Sequence, residues 1–414
     1  MSERFLVNEL ANGMTLVGQQ MDHVSSAAIT LVAPCGASYD PPEAAGAASV
    51  ACEWCLRGAG DRNTRQLNDA LDALGCQHHE TIRSEHLLLT AALLGRNLLA
   101  ALGIFADILL RPHLGDETFA PSRMLIEQDL ASLEDEPARK CSVLLREKFY
   151  PWPLGRCVCG SAETLGAIEP EMLRRHTREH VSPTGTVLAV AGDVNWPALC
   201  DRVEELFGDW PASGPRAREV SPAAGGVTHV AKGSAQTHIA LAYEAVPIVH
   251  RQYYAARMGE MVLSGGASAR LHTEIREKRG LAYHATAHYH SLKDHAGMFA
   301  YVGTRPELAQ ETFDRTVGEI RRLSEGISGE EIRRARTQLR SAMIMQGEST
   351  SARANALASD WYHLGRVRSL AELSEAIQSV TPDDVLAYLR DCPPRDFTLL
   401  VVGPEPVETS ILDS

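Results

Sequence analysis

The chain has 414 residues, 44% of them hydrophobic and 22% charged, an ordinary globular balance. A formal net charge of −13, with no basic block and no stripe of aromatic and basic residues, argues against a nucleic-acid or anionic-membrane partner. No apolar run is long enough to span a bilayer, Met1-Ser-Glu-Arg-Phe5 lacks a signal-peptide pattern, and nine scattered cysteines suit free thiols, so a cytoplasmic protein is expected. A single core stops growing at roughly 250–300 residues, so the length favours two domains.

In chain order, Phe5-Leu-Val, the Asn12-Gly13 turn and Met14-Thr-Leu-Val predict a hairpin. The run Ala27 to Ala33 suits a strand buried on both faces. Helical patterns follow at about 44–57, 64–74, 95–110, 117–134 and 137–149, with Thr64 able to cap one start and Gly75 to close that helix. Gln77 to Ala92 turns from polar to apolar, as a long hairpin does. Helices at about 169–180 and 196–206 flank the strand Thr186 to Asp193.

From Trp210 to Gly226 the chain is rich in proline, glycine and small residues, which predicts a linker over 213–226 between domains 1–212 and 227–414. The second half repeats the first in outline. A strand from Thr237 to Tyr243 precedes helices at about 250–263 and 268–278, a hairpin at 282–303, helices at 306–325 and 329–346, and a helical stretch to about 390. It closes on Phe397 to Gly403, which echoes Thr186 to Gly192. The pattern predicts a duplicated α+β unit of about 200 residues.

Several segments stand in one order along nearly the whole chain. They are Leu10-Ala-Asn-Gly-Met-Thr-Leu16, Arg57-Gly58 with Thr64 to Gly75, Pro153-Leu-Gly-Arg156, Gly160-Ser-Ala-Glu-Thr-Leu165 and Val187 to Asp193. The second half adds Leu263-Ser-Gly-Gly-Ala-Ser-Ala-Arg-Leu271, Ile275-Arg-Glu-Lys-Arg-Gly-Leu-Ala-Tyr283 and Gly303-Thr-Arg-Pro306. Together they resemble the pitrilysin and insulinase family of zinc peptidases, the last long motif most specifically. The resemblance implies two similar α/β-roll domains, each an antiparallel sheet flanked by helices, joined by a linker as half of a clamshell that closes on an unfolded peptide.

Catalytic members of that family carry H-x-x-E-H on a helix, two histidines one turn apart binding zinc and the glutamate acting as general base, completed by a later carboxylate. The matching stretch here is Gly46 to Gly58. Ser49 and Glu53 stand at the histidine positions, Cys52 at the general-base position, and Gln128 at the later carboxylate, with Glu127 one residue off. A serine hydroxyl is a poor zinc ligand and one glutamate leaves the coordination open, so no metal is expected in this chain. Cys52-Glu-Trp-Cys55 also has C-x-x-C spacing, but no second pair accompanies it, and two small thiols on a packed helix are the simpler reading.

His176-Thr-Arg-Glu179-His180 is a literal H-x-x-E-H. Arg174, Arg175 and Arg178 surround it with positive charge that repels a divalent ion, and relatives place an ordinary surface helix there. His78, His79 and His86 on one hairpin, and His284, His288 and His290 at period two on another, are more simply hydrogen-bonded or solvent-facing histidines.

The resemblance also implies an arginine and a tyrosine from the second domain on the far wall of the active chamber. Arg276 and Tyr283 occupy those positions. A guanidinium and a phenol donate hydrogen bonds to a peptide backbone and to the oxyanion of attack. Gly265 and Gly266 would supply a flexible turn lining the chamber. The expected function is therefore the non-zinc-binding subunit of a heterodimeric peptidase, with zinc in a homologous partner subunit and Arg276 and Tyr283 presented to a peptide substrate. An autonomous zinc peptidase at His176, Glu179 and His180, and an inert scaffold or peptide-holding subunit, are the alternatives.

Overall fold

A computed structural model of the chain describes residues 3–212 and 218–412. Five residues of the expected linker, 213–217, lie outside the described residues. The fold divides into two compact units, one of Met1–Ser132, Arg156–Val220 and Met345–Ser369, the other of Leu133–Gly155, Ser221–Ile344 and Leu370–Ser414.

The first unit is built on six strands: β1 (Phe5–Glu9), β2 (Thr15–Gln20), β3 (Ser26–Ala33), then β6 (Gln77–Ile82), β7 (Leu87–Leu94) and β8 (Val187–Gly192), with the short pair β4 (Gly58–Ala59) and β5 (Arg62–Asn63) between them in sequence. Their order is β1-β2-β8-β3-β7-β6, so β6 forms one edge. The hairpin turns at Gly13, whose φ of +87° suits a residue without a side chain. β3 and β8 are buried along nearly their whole length, which explains their unbroken apolar runs. Helices Thr64–Ala73, Leu98–Leu110 and Trp196–Phe207 cover one face through Leu67, Leu71, Leu102, Phe105, Leu199 and Phe207. The cap of the first of these is Asn63, not Thr64. Asn63 and Gln66 form a reciprocal capping box, while Thr64 Oγ1 donates to the Arg57 carbonyl at 2.5 Å.

The second unit carries β9 (Val227–Ala231), β10 (Thr237–Ala245), β11 (Ala282–Ser291), β12 (Ala296–Thr304) and β13 (Thr398–Gly403), ordered β11-β12-β10-β13-β9. The expected duplication is visible in the connectivity. β8 and β13, the two strands that echo each other in sequence, occupy the same place, and β6 corresponds to the edge strand β11. Neither sheet is purely antiparallel, since β2 pairs β8 and β13 pairs β9 in parallel.

The compact units depart from the expected 1–212 and 227–414 division at two helices. Pro137–Phe149 buries Cys141 and Leu145 against Ala240, Ala242, Leu400 and Val402 of the second sheet. Thr350–Leu364 buries Ala354, Leu357 and Ala358 against Val17, Ala28, Val32 and Ala189 of the first. An apolar stripe shows in the sequence that a helix packs, but not on which of two similar sheets. The end of the linker is tied to the first unit. Arg218 donates to Ser38 Oγ at 2.7 Å and to the buried Glu85 at 3.0 Å.

Candidate functional site

The helix Ala47–Cys55 carries the degenerate motif. It starts after Gly46, whose φ is +98° and where a Cβ would stand 2.8 Å from the Cys159 carbonyl oxygen. Its first turn is met by Asp40, a side chain with no solvent exposure, which accepts the amide N–H groups of Gly46 at 2.9 Å and Ala48 at 3.0 Å. A carboxylate there satisfies orphan donors and offsets the positive end of the helix dipole. Val50 and Trp54 lock the opposite face, the Trp54 indole donating to Gly115 O and Thr118 Oγ1.

The motif positions are engaged as follows. Ser49 is buried and its hydroxyl is committed to the Val158 carbonyl at 2.7 Å. Burial lifts the Cys52 thiol well above its ordinary value, so it stays protonated and is no general base. Burial also raises the Glu53 carboxyl, opposed by Arg57 at 3.8 Å. Gln128, on the helix Asp116–Ser132, is exposed, and neighbouring Glu127 pairs with Arg123 at 3.1 Å. Among the described residues no three His, Cys, Asp or Glu side chains group as a metal site.

The second H-x-x-E-H lies on the helix Pro170–His180. His176 is buried, not on the surface as expected, with Nε2 at 3.4 Å from Asp40. His180 Nδ1 lies 2.8 Å from the His176 carbonyl oxygen. The two rings stack at 3.9 Å and 24°, an arrangement in which in-plane lone pairs do not converge on one ion, and Glu179 faces solvent. Four of the other histidines have identifiable neighbours. His78 pairs with Glu80 at 2.9 Å, and that hydrogen bond raises its pKa. Burial lowers His86 to about 4 as it packs on Tyr362. On β11, His288 stacks on Phe299 and His290 bonds the Tyr150 hydroxyl at 2.6 Å.

In the second unit, Arg276 does not sit on an ordinary helix. His272–Glu277 forms a π-helical turn closed by Lys278 N–H to Thr273 O at 3.0 Å, with Leu271 and Ile275 fully buried beneath it. The turn hands the chain through Gly280 (φ +60°) to β11, where Tyr283 is 81% exposed. The Arg276 guanidinium lies over the Tyr283 ring, 4.3 Å from its centroid. The other local cations are neutralised. Lys278 and Arg279 both bind Glu274 at 2.6 Å and hold its carboxyl below the usual range, and His272 lies 3.6 Å from Glu277. Among the described residues Arg276 has no ion-pair partner.

Gly265 and Gly266 follow the helix Tyr253–Ser264. A Cβ at Gly265 would meet Met261 O at 2.5 Å and Gln338 Oε1 at 2.7 Å, and one at Gly266 would meet Gln338 Nε2 at 2.8 Å. The Met261 carbonyl crowds a side chain at Gly265, whereas at the exposed Gly266 the neighbour is the movable end of Gln338 and it is the φ of +154° that favours glycine. Sequence reasoning missed Arg270, which clamps this turn: its guanidinium donates twice to Glu331, at 2.7 and 3.2 Å, and once to Gly326 O at 2.7 Å. It also missed Asp40. A carboxylate a few residues before a helix starting at glycine is the signal that could have found it.

Comparison with known proteins matches residues 16–159 to the insulinase family (Peptidase family M16) and residues 167–339 to the Peptidase M16 inactive domain. An uncharacterized zinc protease of Rickettsia bellii is 29% identical over 413 residues, covering 98% of each chain. One of Streptomyces coelicolor is 29% identical, covering 95% of this chain and 88% of its own. Among solved structures, the fold is similar to a peptidase M16 inactive domain from Pseudomonas fluorescens, with TM-score 0.88, 18% identity and coverage of 98% and 99%. It is similar also to a protease from Helicobacter pylori, with TM-score 0.89, 16% identity and coverage of 98% and 100%.

Proposed function

The chain belongs to the insulinase family of peptidases, Peptidase family M16, and from that premise we propose that it is the non-zinc-binding subunit of a heterodimeric peptidase. A homologous partner with an intact H-x-x-E-H holds the zinc. This chain completes the chamber, holds the peptide substrate, and supplies Arg276 and Tyr283 to it.

One observation carries the reading. Neighbouring Lys278 and Arg279 are cancelled by Glu274, while among the described residues Arg276 has no carboxylate partner and lies exposed beside the exposed phenol of Tyr283. A free guanidinium and a phenol hydroxyl are hydrogen-bond donors suited to a peptide carbonyl and to negative charge developing on it. The loss of donors at Ser49, Cys52, Glu53 and Gln128 makes the same point from the other side. The machinery kept is the half that binds and stabilises; the half that activates water is gone. The edge strand β6 gives an extended peptide a partner for strand addition, as proteins that read unfolded chains commonly do.

The test is reconstitution. Mixing the purified chain with its zinc-bearing homologue should create peptidase activity that neither shows alone, and Arg276→Ala should lower it. Full activity of the partner without this chain removes the proposed role. Stoichiometric zinc and robust proteolysis by this chain alone would favour the autonomous reading, for which the stacked His176 and His180 give no support.

A further inference from the structure

We propose that the peptide taken up by β6 is a strand with acidic side chains on one face and small apolar side chains on the other. The inference rests on the reading of this chain as a peptide-holding subunit and adds the substrate class. β6 forms one edge of the first sheet, so an extended chain can pair along its outer side.

Side chains alternate along β6, and its two faces meet different surroundings. Gln77 and His79, paired with Ala92 and Thr90 of β7, line a cleft of about 320 Å³. Its wall also holds Ser351 and Asn355 of the helix Thr350–Leu364. Glu80 and Ile82, paired with Leu89 and Leu87, line an almost wholly apolar cavity of about 50 Å³ under the helix Ala47–Cys55. A strand laid along β6 continues the alternation, so its side chains fall in turn on the cleft side and on the cavity side.

The cleft offers donors, and no carboxylate stands among the described residues of its wall. Thr30 Oγ1 donates to Asn355 Oδ1 at 2.7 Å, which leaves the Asn355 NH2 group to serve another acceptor. Among the described residues the side chains of Gln77, His79 and Ser351 have no hydrogen-bond partner, and each can donate. A carboxylate accepts several such bonds at once, and its charge makes them stronger than bonds between neutral groups. A lysine in the same place meets no anion. On the cavity side Glu80 repels an acidic guest residue, while Ile82, Leu87 and Leu89 suit a small aliphatic one. The two sides together select acidic and apolar residues an odd number of positions apart. The net charge of −13 opposes acidic ligands at long range, so a preference for them comes from the cleft and not from overall charge.

The experiment is fluorescence anisotropy of the full chain with short labelled peptides at about 0.15 M salt, where long-range charge is screened. The first peptide alternates Glu with Val. The others replace Glu by Lys, keep the composition in blocked order, or methylate the backbone amides of the first. The alternating Glu peptide should bind at least about tenfold tighter than the Lys and blocked-order peptides, and Gln77→Ala/His79→Ala should remove most of that preference. Methylation should weaken binding, because it blocks strand pairing whatever the side chains. Sensitivity to methylation with equal affinity for the Glu and Lys peptides, or for the alternating and blocked ones, overturns the substrate class and leaves strand addition standing. Binding that ignores methylation, or no binding at all, overturns both. A Glu preference undiminished in the Gln77/His79 variant puts the acidic side chain outside the cleft and overturns the assignment.

Discussion

The guanidinium of Arg276 rests over the ring of Tyr283 with 4.3 Å between its carbon and the ring centroid, and both side chains face solvent. A cation–π contact at such an exposed position is worth only about 0.5–1 kcal/mol. Stability is therefore a poor reason for the pair, and its chemistry is the better one.

From this follows a split between stability and activity. Arg276→Ala and Tyr283→Phe should each change unfolding free energy by less than about 1 kcal/mol, read by urea denaturation. In the assembled peptidase the same changes should lower kcat/KM by roughly 10- to 1000-fold, the range for losing one donor to a developing oxyanion. Tyr283→Phe keeps the ring under Arg276 and removes only the hydroxyl, so it isolates the donor. Arg276→Lys should rescue poorly, because an ammonium does not reproduce the planar fork. Wild-type rates in both variants would end the assignment.

At the motif helix, Ser49 behaves as a structural hydroxyl. Ser49→Ala leaves the Val158 carbonyl without its donor and should cost about 1–3 kcal/mol. Zinc added in excess should leave the unfolding midpoint of the wild-type chain unchanged, because a ligand stabilises only what it binds in the folded state. A zinc-dependent rise in Tm that Ser49→Ala or Glu53→Gln abolishes would show that the motif still holds metal.

The turn before Arg276 is held by an ion pair with a definite pH signature. Glu331 is held down to about 2 against the opposing cost of burial, chiefly by the Arg270 guanidinium and by Ser328. Its folded value lies below the ordinary 4.5, so between the two the unfolded chain binds more protons. The stabilisation is complete above about 4.5 and is lost as pH falls towards 2. It is on the order of 3 kcal/mol, taking about 1.4 kcal/mol per pKa unit. The stability difference between wild type and Glu331→Gln should shrink steadily over that interval, as denaturation at a series of pH values would show. A difference that stays constant with pH would mean that the carboxylate charge does not brace the turn.

Much of this was legible in sequence because it rests on local rules. Asn12-Gly13, Gly75 and the alternating or unbroken apolar runs mark turns, a helix end and strands whatever the tertiary context. Arg276 and Tyr283 could be singled out because their motif is contiguous. What stayed hidden depends on distant partners. Nothing local to 137–149 or 350–364 says which sheet each helix covers. The π-turn at His272–Glu277 is not signalled locally either, because the i, i+4 spacing of the buried Leu271 and Ile275 fits an ordinary α-helix as well. Arg270 and its partner Glu331 lie 61 residues apart in the chain, so nothing local marks the pair.

Asp40 gives the last test, because it joins the two H-x-x-E-H-like helices in one unit. Its carboxylate holds the start of Ala47–Cys55 through Gly46 and Ala48 and faces His176 Nε2 at 3.4 Å. Asp40→Ala strips two buried amides of their acceptor and should cost about 2–5 kcal/mol. His176→Ala opens space beside the same carboxylate and should destabilise by a smaller amount, while the exposed Glu179→Gln should be neutral within about 0.5 kcal/mol. The role of His176 as a packing residue thus separates from the catalytic reading of His176, Glu179 and His180, under which Glu179→Gln would abolish activity without touching stability. Denaturation curves and reconstituted activity measured on the same three variants distinguish the two, and loss of activity in Glu179→Gln at wild-type stability would overturn the structural assignment.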